Sequence, residues 1–318
     1  MKMKPKKTKT PAGKALVTEV VIGKLRMVNP VMVASGCFGY GEEISKFYPL
    51  KSLGAIIVKG TTLEPRAGNL TTRMAETPSG MLNSIGLQNV GVDAFLKEKL
   101  PFLRKAGVPA VVNINGRTIE EYAELAARLD GHPGIGALEI NISCPNVKEG
   151  GIEFGSNPEV AAKVVSAVRK STTHTLITKL SPNVTSVQVI AKACVDAGTD
   201  ALSAINTVVG MAIDAKTRKP VLRRVTGGLS GPAVKPIGLR VVYQVHQAVK
   251  VPIIGMGGIV TGEDAVEYLL AGATAVAVGT ANYLEPNAAL NVVNGLKDYM
   301  VENKVSNVSS LVGALIVP

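Results

Sequence analysis

Apolar and polar residues alternate along residues 137–143, where Leu138, Ile140 and Ile142 interleave with Glu139, Asn141 and Ser143. A two-residue period predicts a strand. It stops at Cys144-Pro145, because proline has no N–H for a ladder and keeps the preceding residue extended. Short β-branched runs of the same kind recur at residues 31–35, 55–59, 110–114, 137–142, 176–180, 201–206, 253–255 and 275–279. Between them lie stretches of helical pattern, among them 119–129, 158–170, 184–197, 237–249 and 262–271. Asn157 ahead of Pro158 predicts a capped helix start. Upstream of this rhythm, residues 15–29 alternate and turn at Gly23-Lys24, which predicts a hairpin.

Eight β-then-α units over roughly 250 residues predict an α/β fold, a (β/α)8 TIM barrel with an N-terminal hairpin. Two βα connections, residues 60–101 and 207–236, are overlong and rich in Gly, Pro, Thr and Asn. Such loops are expected to stand over the carboxyl-terminal face as lids or binding walls. A doubly wound sheet is the rival, but it needs fewer strands and no G-x-G-x-x-G opens the first unit. Residues 15–318 therefore read as a single barrel domain. Composition agrees: 46% hydrophobic residues, only 4% aromatics and 33 glycines suit a helix-wrapped parallel sheet better than a β-sandwich.

The net charge of +11 is unevenly spread, since residues 1–14 carry six lysines and no acid. They read as a basic, disordered tail. Neither arginine nor an aromatic residue accompanies the lysines, so contact with nucleic acid or acidic lipid is the weaker expectation. No apolar h-region follows, which argues against a secretory signal. The three cysteines, Cys37, Cys144 and Cys194, are too few for a disulfide framework, a zinc site or a four-thiolate cluster. No metal is expected on this chain, and a reducing cytoplasm fits best. No apolar run approaches a membrane span.

In a barrel the site forms at the carboxyl ends of the strands, which here carry Ser35, Lys59, Asn113, Asn141, Lys179 and Asn206. A strand buried on both faces should be apolar throughout, and unpaired polar groups there are costly. Six at equivalent positions point to a site. Two cations, three planar amides and a hydroxyl suit a flat, anionic, amide-bearing molecule, so a flavin or a pyrimidine fits better than a sugar. Gly255-Met256-Gly257-Gly258 ends the seventh strand and Gly279-Thr280 the eighth, where bare backbone N–H groups commonly bind phosphate.

The general base follows by elimination. His132 and His174 precede strands and belong to the opposite face, while His246 lies mid-helix. Glu139 is one step deeper than Asn141 and reads as an internal partner for Lys179. Cys37 and Cys194 read as small buried hydrophobes. Cys144, just past a strand end, is left as the base; nearby lysines would lower its thiol from about 8.5.

These residues resemble dihydroorotate dehydrogenase, class 1 subclass B, the flavin-bearing catalytic subunit. The resemblance runs from about Leu16 onward and is carried by N-S-I-G-L-Q-N at residues 83–89, N-I-S-C-P-N-V-K-E-G-G at 141–151 and G-G-L-S-G-P-A-V-K-P at 227–236. It implies oxidation of dihydroorotate to orotate in pyrimidine biosynthesis, with FMN as first acceptor. Cys144 would take the C5 proton while hydride leaves C6 for flavin N5. Lys59, Asn83, Ser84, Ile85, Gly86, Leu87, Asn141, Asn206 and Thr207 would hold the substrate. Ser35, Lys59, Gly60, Asn113, Asn141, Lys179, Ile205, Gly231, Gly257, Gly258, Gly279 and Thr280 would hold FMN.

Membrane-bound class 2 enzymes use serine as base and carry a membrane helix; neither is seen here. The V-K-E-G-G after Cys-Pro-Asn resembles subclass B rather than the fumarate-reducing subclass 1A. That implies a second subunit carrying FAD and a two-iron cluster, electrons passing to NAD, and a heterotetramer of two subunits of each kind. Two rivals share part of the pattern: a dihydropyrimidine dehydrogenase-like subunit, and a phosphate-binding barrel without flavin.

Overall fold

A computed structural model of the chain describes residues 15–142 and 154–318. The basic tail, Cys144 and most of the N-I-S-C-P-N-V-K-E-G-G stretch lie outside the described residues. Strands β1 (Val20–Ile22) and β2 (Leu25–Met27) form the expected hairpin, with Val20 paired to Met27. Val20, Ile22, Leu25 and Met27 are buried while Val21 and Arg26 are exposed, so one face of the hairpin is apolar. That face closes the amino-terminal end of the barrel: the Lys24 N–H donates to Thr175 Oγ1 at 2.8 Å, and a Cβ on Gly136 would sit 2.6 Å from Leu25.

The chain continues through β3 (Val31–Val33) and β4 (Ala55–Ile57), then a hairpin of β5 (Met74–Thr77) and β6 (Gly80–Asn83). Helices α1 (Gly91–Ala94) and α2 (Leu100–Ala106), bridged by a π-helical turn, lead into β7 (Ala110–Ile114). Regular βα alternation follows: α3 (Ile119–Leu129), β8 (Ile135–Asn141), α4 (Pro158–Ser171), β9 (Thr175–Lys179), α5 (Val187–Asp196) and β10 (Ala201–Ala204). The second long connection holds β11 (Val208–Met211), the short pair β12 (Ile213–Asp214) and β13 (Lys219–Pro220), and β14 (Thr226–Ser230). After α6 (Lys235–Ala248), β15 (Ile253–Met256), α7 (Gly262–Leu270) and β16 (Ala275–Val278), the chain ends in α8 (Ala281–Leu284) and α9 (Ala288–Glu302).

Strands β3, β4, β7, β8, β9, β10, β15 and β16 pair in that order, all parallel, and β16 returns to β3 with Val276 opposite Val31. The barrel is closed, as the alternation predicts. Its strands are buried on both faces, so β3 and β4 read as unbroken apolar runs. Asn157 accepts from the N–H groups of Glu159 and Val160, the foreseen cap of α4. Thr261 and Asp264 form a capping box that starts α7.

The two long connections, expected as lids or binding walls, join in a way that expectation did not address: β5, β6, β14 and β11 make one antiparallel sheet, with Gly228 of β14 opposite Asn83 of β6. Pairing across roughly 145 positions leaves no local periodicity to read. Residues 91–106 are also helical, although Pro101 breaks their pattern; it sits in the first turn of α2, where a missing N–H costs nothing. Among the described residues no helix is long and apolar enough to cross a membrane.

Candidate active site

The strand-end polar residues converge. Asn113, Asn141 and Lys179 stand at the carboxyl ends of β7, β8 and β9, and all three are buried. Together with Ser35, Lys59, Gly60, Asn206 and Thr207 they line a cavity of about 320 Å³, whose outer wall includes Asn83, Ile85, Gly86 and Leu87 from the first long connection. A narrower space of about 80 Å³ adjoins it, bounded by Ile205, Gly231, Gly257, Gly258, Gly279 and Thr280 and sharing Ser35, Lys179, Asn206 and Thr207 with the first.

Ser84 is the exception among the described candidates. It lines neither space; its side chain is fully buried, its N–H donates to the Arg73 carbonyl and its carbonyl accepts from Asn69 Nδ2. Its geometry braces the loop instead of facing the cavity. Cys144 lies outside the described residues.

Charge in the larger cavity has one sign. Lys59, Arg73 and Lys179 line it, and among the described lining residues there is no carboxylate. Burial, with the Arg73 guanidinium adding to it and Glu43 opposing, holds the Lys59 ammonium below its ordinary range. Lys179 Nζ lies 3.4 Å from Ser35 Oγ and 3.9 Å from Glu139 Oε2, so the expected partnership with Glu139 is present at the edge of contact. An anionic ligand is what such a lining favours.

Arg73 was not anticipated. It lies in the irregular first connection, where nothing periodic marks it, and it donates to Gln88 Oε1 at 2.7 Å and to the Asn69 carbonyl at 3.2 Å. These bonds clamp the loop that carries Asn83 to Leu87. Gly86 there has φ +77°, and a Cβ would fall 2.6 Å from Asn69 Cγ, so only glycine fits the turn. Asn89 ties the far side: its Oδ1 accepts from the Gly91 N–H and its Nδ2 donates to the Leu87 carbonyl, both at 2.8 Å.

The glycine-edged space is held by α6 and α7. Gly258 has φ +72°, and a Cβ on it would approach the Lys235 backbone N to 2.9 Å. The Tyr268 hydroxyl donates to the Gly257 carbonyl at 2.7 Å. Lys235 Nζ donates to Asp264 at 2.6 Å and pairs with Glu267 at 3.0 Å; the bond to Asp264 pushes the ammonium above its usual range. Asp264 also accepts from the N–H groups of Val260 and Thr261. The Thr280 hydroxyl donates to Ser230 Oγ at 2.8 Å.

The cysteines divide against expectation. Cys194 is a buried residue of α5, its thiol pushed up to about 12 by burial. Cys37, expected to be a buried hydrophobe too, lines both spaces. Burial pushes its thiol up to about 11, against the pull of the Lys179 ammonium and the Tyr283 hydroxyl, so it is a poor base at neutral pH. It sits four residues past the end of β3, and a strand-end rule stopping at Ser35 passes over it. None of His132, His174 and His246 lines either space; His174 Nε2 is 3.2 Å from the Leu129 carbonyl instead.

Comparison with known proteins is consistent along the chain. The family model described as "Dihydroorotate dehydrogenase" matches residues 17–300. A protein of Geotalea uraniireducens named "Dihydroorotate dehydrogenase B (NAD(+)), catalytic subunit" is 59% identical over 297 residues, covering 93% of this chain and 97% of its own. Proteins of the same name from Geotalea daltonii and Citrifermentans bemidjiense are 60% and 58% identical over 296 residues, with the same coverage.

Proposed function

We propose, from the premise that the chain belongs to the dihydroorotate dehydrogenase family, that it is the catalytic subunit of an enzyme that oxidises dihydroorotate to orotate in pyrimidine biosynthesis. The observation that carries the reading is the cationic, amide-lined cavity at the carboxyl ends of the strands, continuous with a glycine-edged space. The residues present fit FMN. Planar amides and Lys179 suit a flat ring whose reduced form is anionic, and the glycines at 231, 257, 258 and 279 leave room for a phosphate against bare backbone.

In this reading Ser35, Lys59, Gly60, Asn113, Asn141, Lys179 and Ile205 hold the flavin ring and its polyol, while the glycines and Thr280 hold the phosphate. FMN held there would supply the two-electron acceptor for the hydride lost from C6 of the substrate. Lys59 neutralises the substrate carboxylate, and Asn83, Asn141, Asn206 and Thr207 orient the pyrimidine edge with the backbone of residues 85–87. Cys144 removes the C5 proton. Lys179, which lines both spaces, would supply a fixed positive charge to a flavin held there.

The printed name of the relatives, a catalytic subunit of an NAD(+) enzyme, supports a separate partner. We assign to that partner FAD and a two-iron cluster passing electrons to NAD, in a cytoplasmic heterotetramer of two catalytic and two electron-transfer subunits. The purified chain is expected to be yellow and to bleach anaerobically with dihydroorotate but not with dihydrouracil. Colourless protein would point to a barrel without flavin, and bleaching by dihydrouracil to the related pyrimidine chemistry. Co-purification with an iron–sulfur flavoprotein and NAD reduction by the complex test the partner.

A further inference from the structure

Beneath the floor of the cavity lies a carboxylate that lines none of the open space. Glu139 of β8 is fully buried. Its Oε2 accepts from Asn113 Nδ2 at 2.5 Å and its Oε1 accepts from Ser203 Oγ at 2.7 Å, with Lys179 Nζ 3.9 Å from Oε2. With Oε1 taken by the Ser203 hydroxyl and the Lys179 ammonium beside Oε2, the oxygen that Glu139 turns to Asn113 is an acceptor. The end of the Asn113 amide that faces it must therefore be the nitrogen.

The consequence propagates. With its nitrogen turned to Glu139, Asn113 presents Oδ1 on the other side, where it accepts from Asn115 Nδ2 at 2.8 Å and Asn141 Nδ2 at 3.5 Å. Asn141 in turn presents Oδ1, which accepts from Asn206 Nδ2 at 3.4 Å. Three amides from three strand ends thus run head to tail, every nitrogen on the Glu139 side. An isolated asparagine can turn its amide over with almost no change of shape, exchanging a donor for an acceptor. Here the carboxylate at the end of the row holds the Asn113 amide in one sense, and the row continues in that sense through Asn141 and Asn206.

We propose that Glu139 is a positioning residue for ligand recognition. By fixing the direction of the Asn113–Asn141–Asn206 row, it sets which donors and acceptors the cavity shows to the alternating carbonyl and N–H edge of a pyrimidine. The inference rests on the reading of this cavity as the dihydroorotate site. The two fail separately: wild-type holoenzyme whose flavin spectrum does not respond to orotate contradicts that reading, whereas the role of Glu139 is judged from variants relative to wild type.

Glu139→Gln keeps the size of the side chain but adds a donor, so the Asn113 amide is free to reverse. The orotate Kd, read from flavin spectral perturbation, is expected to rise about tenfold or more, the loss of one to two well-made hydrogen bonds. Glu139→Asp keeps the acceptor-only character and is expected to bind orotate more tightly than Glu139→Gln. A space-filling role predicts the reverse order, because Gln fills the site and Asp leaves a gap. An unchanged Kd in Glu139→Gln, or that reversed order, overturns the proposal. Neutron diffraction from the wild-type holoenzyme tests it without any variant, since nitrogen and oxygen scatter differently. The Asn113 nitrogen is expected toward Glu139, and a reversed Asn113 amide overturns the proposal.

Discussion

Lys59 is held between opposing influences, with burial and Arg73 against its charge and Glu43 for it. If it meets the substrate carboxylate, orotate binds best while Lys59 is protonated. Affinity is expected to hold at low pH and to fall as pH rises through a pKa below the ordinary lysine value of about 10.4. Stability without ligand runs the other way. Between the lowered folded value and the unfolded one the unfolded chain binds more protons, so stability rises with pH in that window. Titrating orotate against pH checks the first claim, and Lys59→Met should flatten the profile. For Cys144, replacement by alanine should leave the flavin bound and slow its anaerobic reduction by dihydroorotate about 10²- to 10⁴-fold; an unchanged stopped-flow rate would remove it as the base. The strand-end residues were legible because each breaks an otherwise apolar run. Arg73 and Cys37 were not, since each lies in irregular chain where a polar residue breaks no pattern.

The elements divide by how locally they are determined. Helix α4 is announced by Asn157-Pro158, and α7 by Thr261 with Asp264 three residues on, a pattern spanning four letters of sequence. Asp264 has a further task that the letters do not show: it caps α7, accepts two backbone N–H groups and holds Lys235 beside Gly258. Asp264→Ala is expected to cost about 2 kcal/mol in thermal or urea denaturation and to weaken retention of flavin on dialysis. The four-stranded sheet over the barrel is the opposite case. Leu82 of β6 is buried in it and touches the site of Gly210 in β11. Leu82→Ala should cost roughly 3 kcal/mol locally. Hydrogen exchange should then speed up in residues 74–83 and 208–230 while barrel strands such as β8 keep their protection; uniform acceleration would show that sheet and barrel unfold together.

At the scale of the whole molecule the barrel needs both ends covered. The β1–β2 hairpin buries Ile22 and Leu25 against its amino-terminal end, and Val17 bridges to Asn307 near the other terminus. Removing residues 1–29 is expected to yield insoluble or strongly destabilised protein, because the floor of the barrel would face water. Removing residues 1–14 alone should shift the melting temperature by less than about 3 °C, as a change below one kcal/mol does in a chain of this size. Differential scanning fluorimetry of both truncations separates the two outcomes.

By itself the sequence determined the eightfold βα alternation, the hairpin before it, the helix caps and the polar residues at the strand ends. All of these are written in periods of two or 3.6 residues, or in neighbours a few positions apart. Only the tertiary structure decided that the two long connections share one sheet, that Ser84 braces its loop while Cys37 lines the cavity, and that a buried glutamate stands behind three asparagines. Such facts join residues far apart in the chain, Glu139 with Ser203 across the closed barrel and Asn83 with Gly228 in the sheet above it. Proximity across such distances along the chain is a property of how the strands pair in three dimensions, and no local pattern of side chains encodes it.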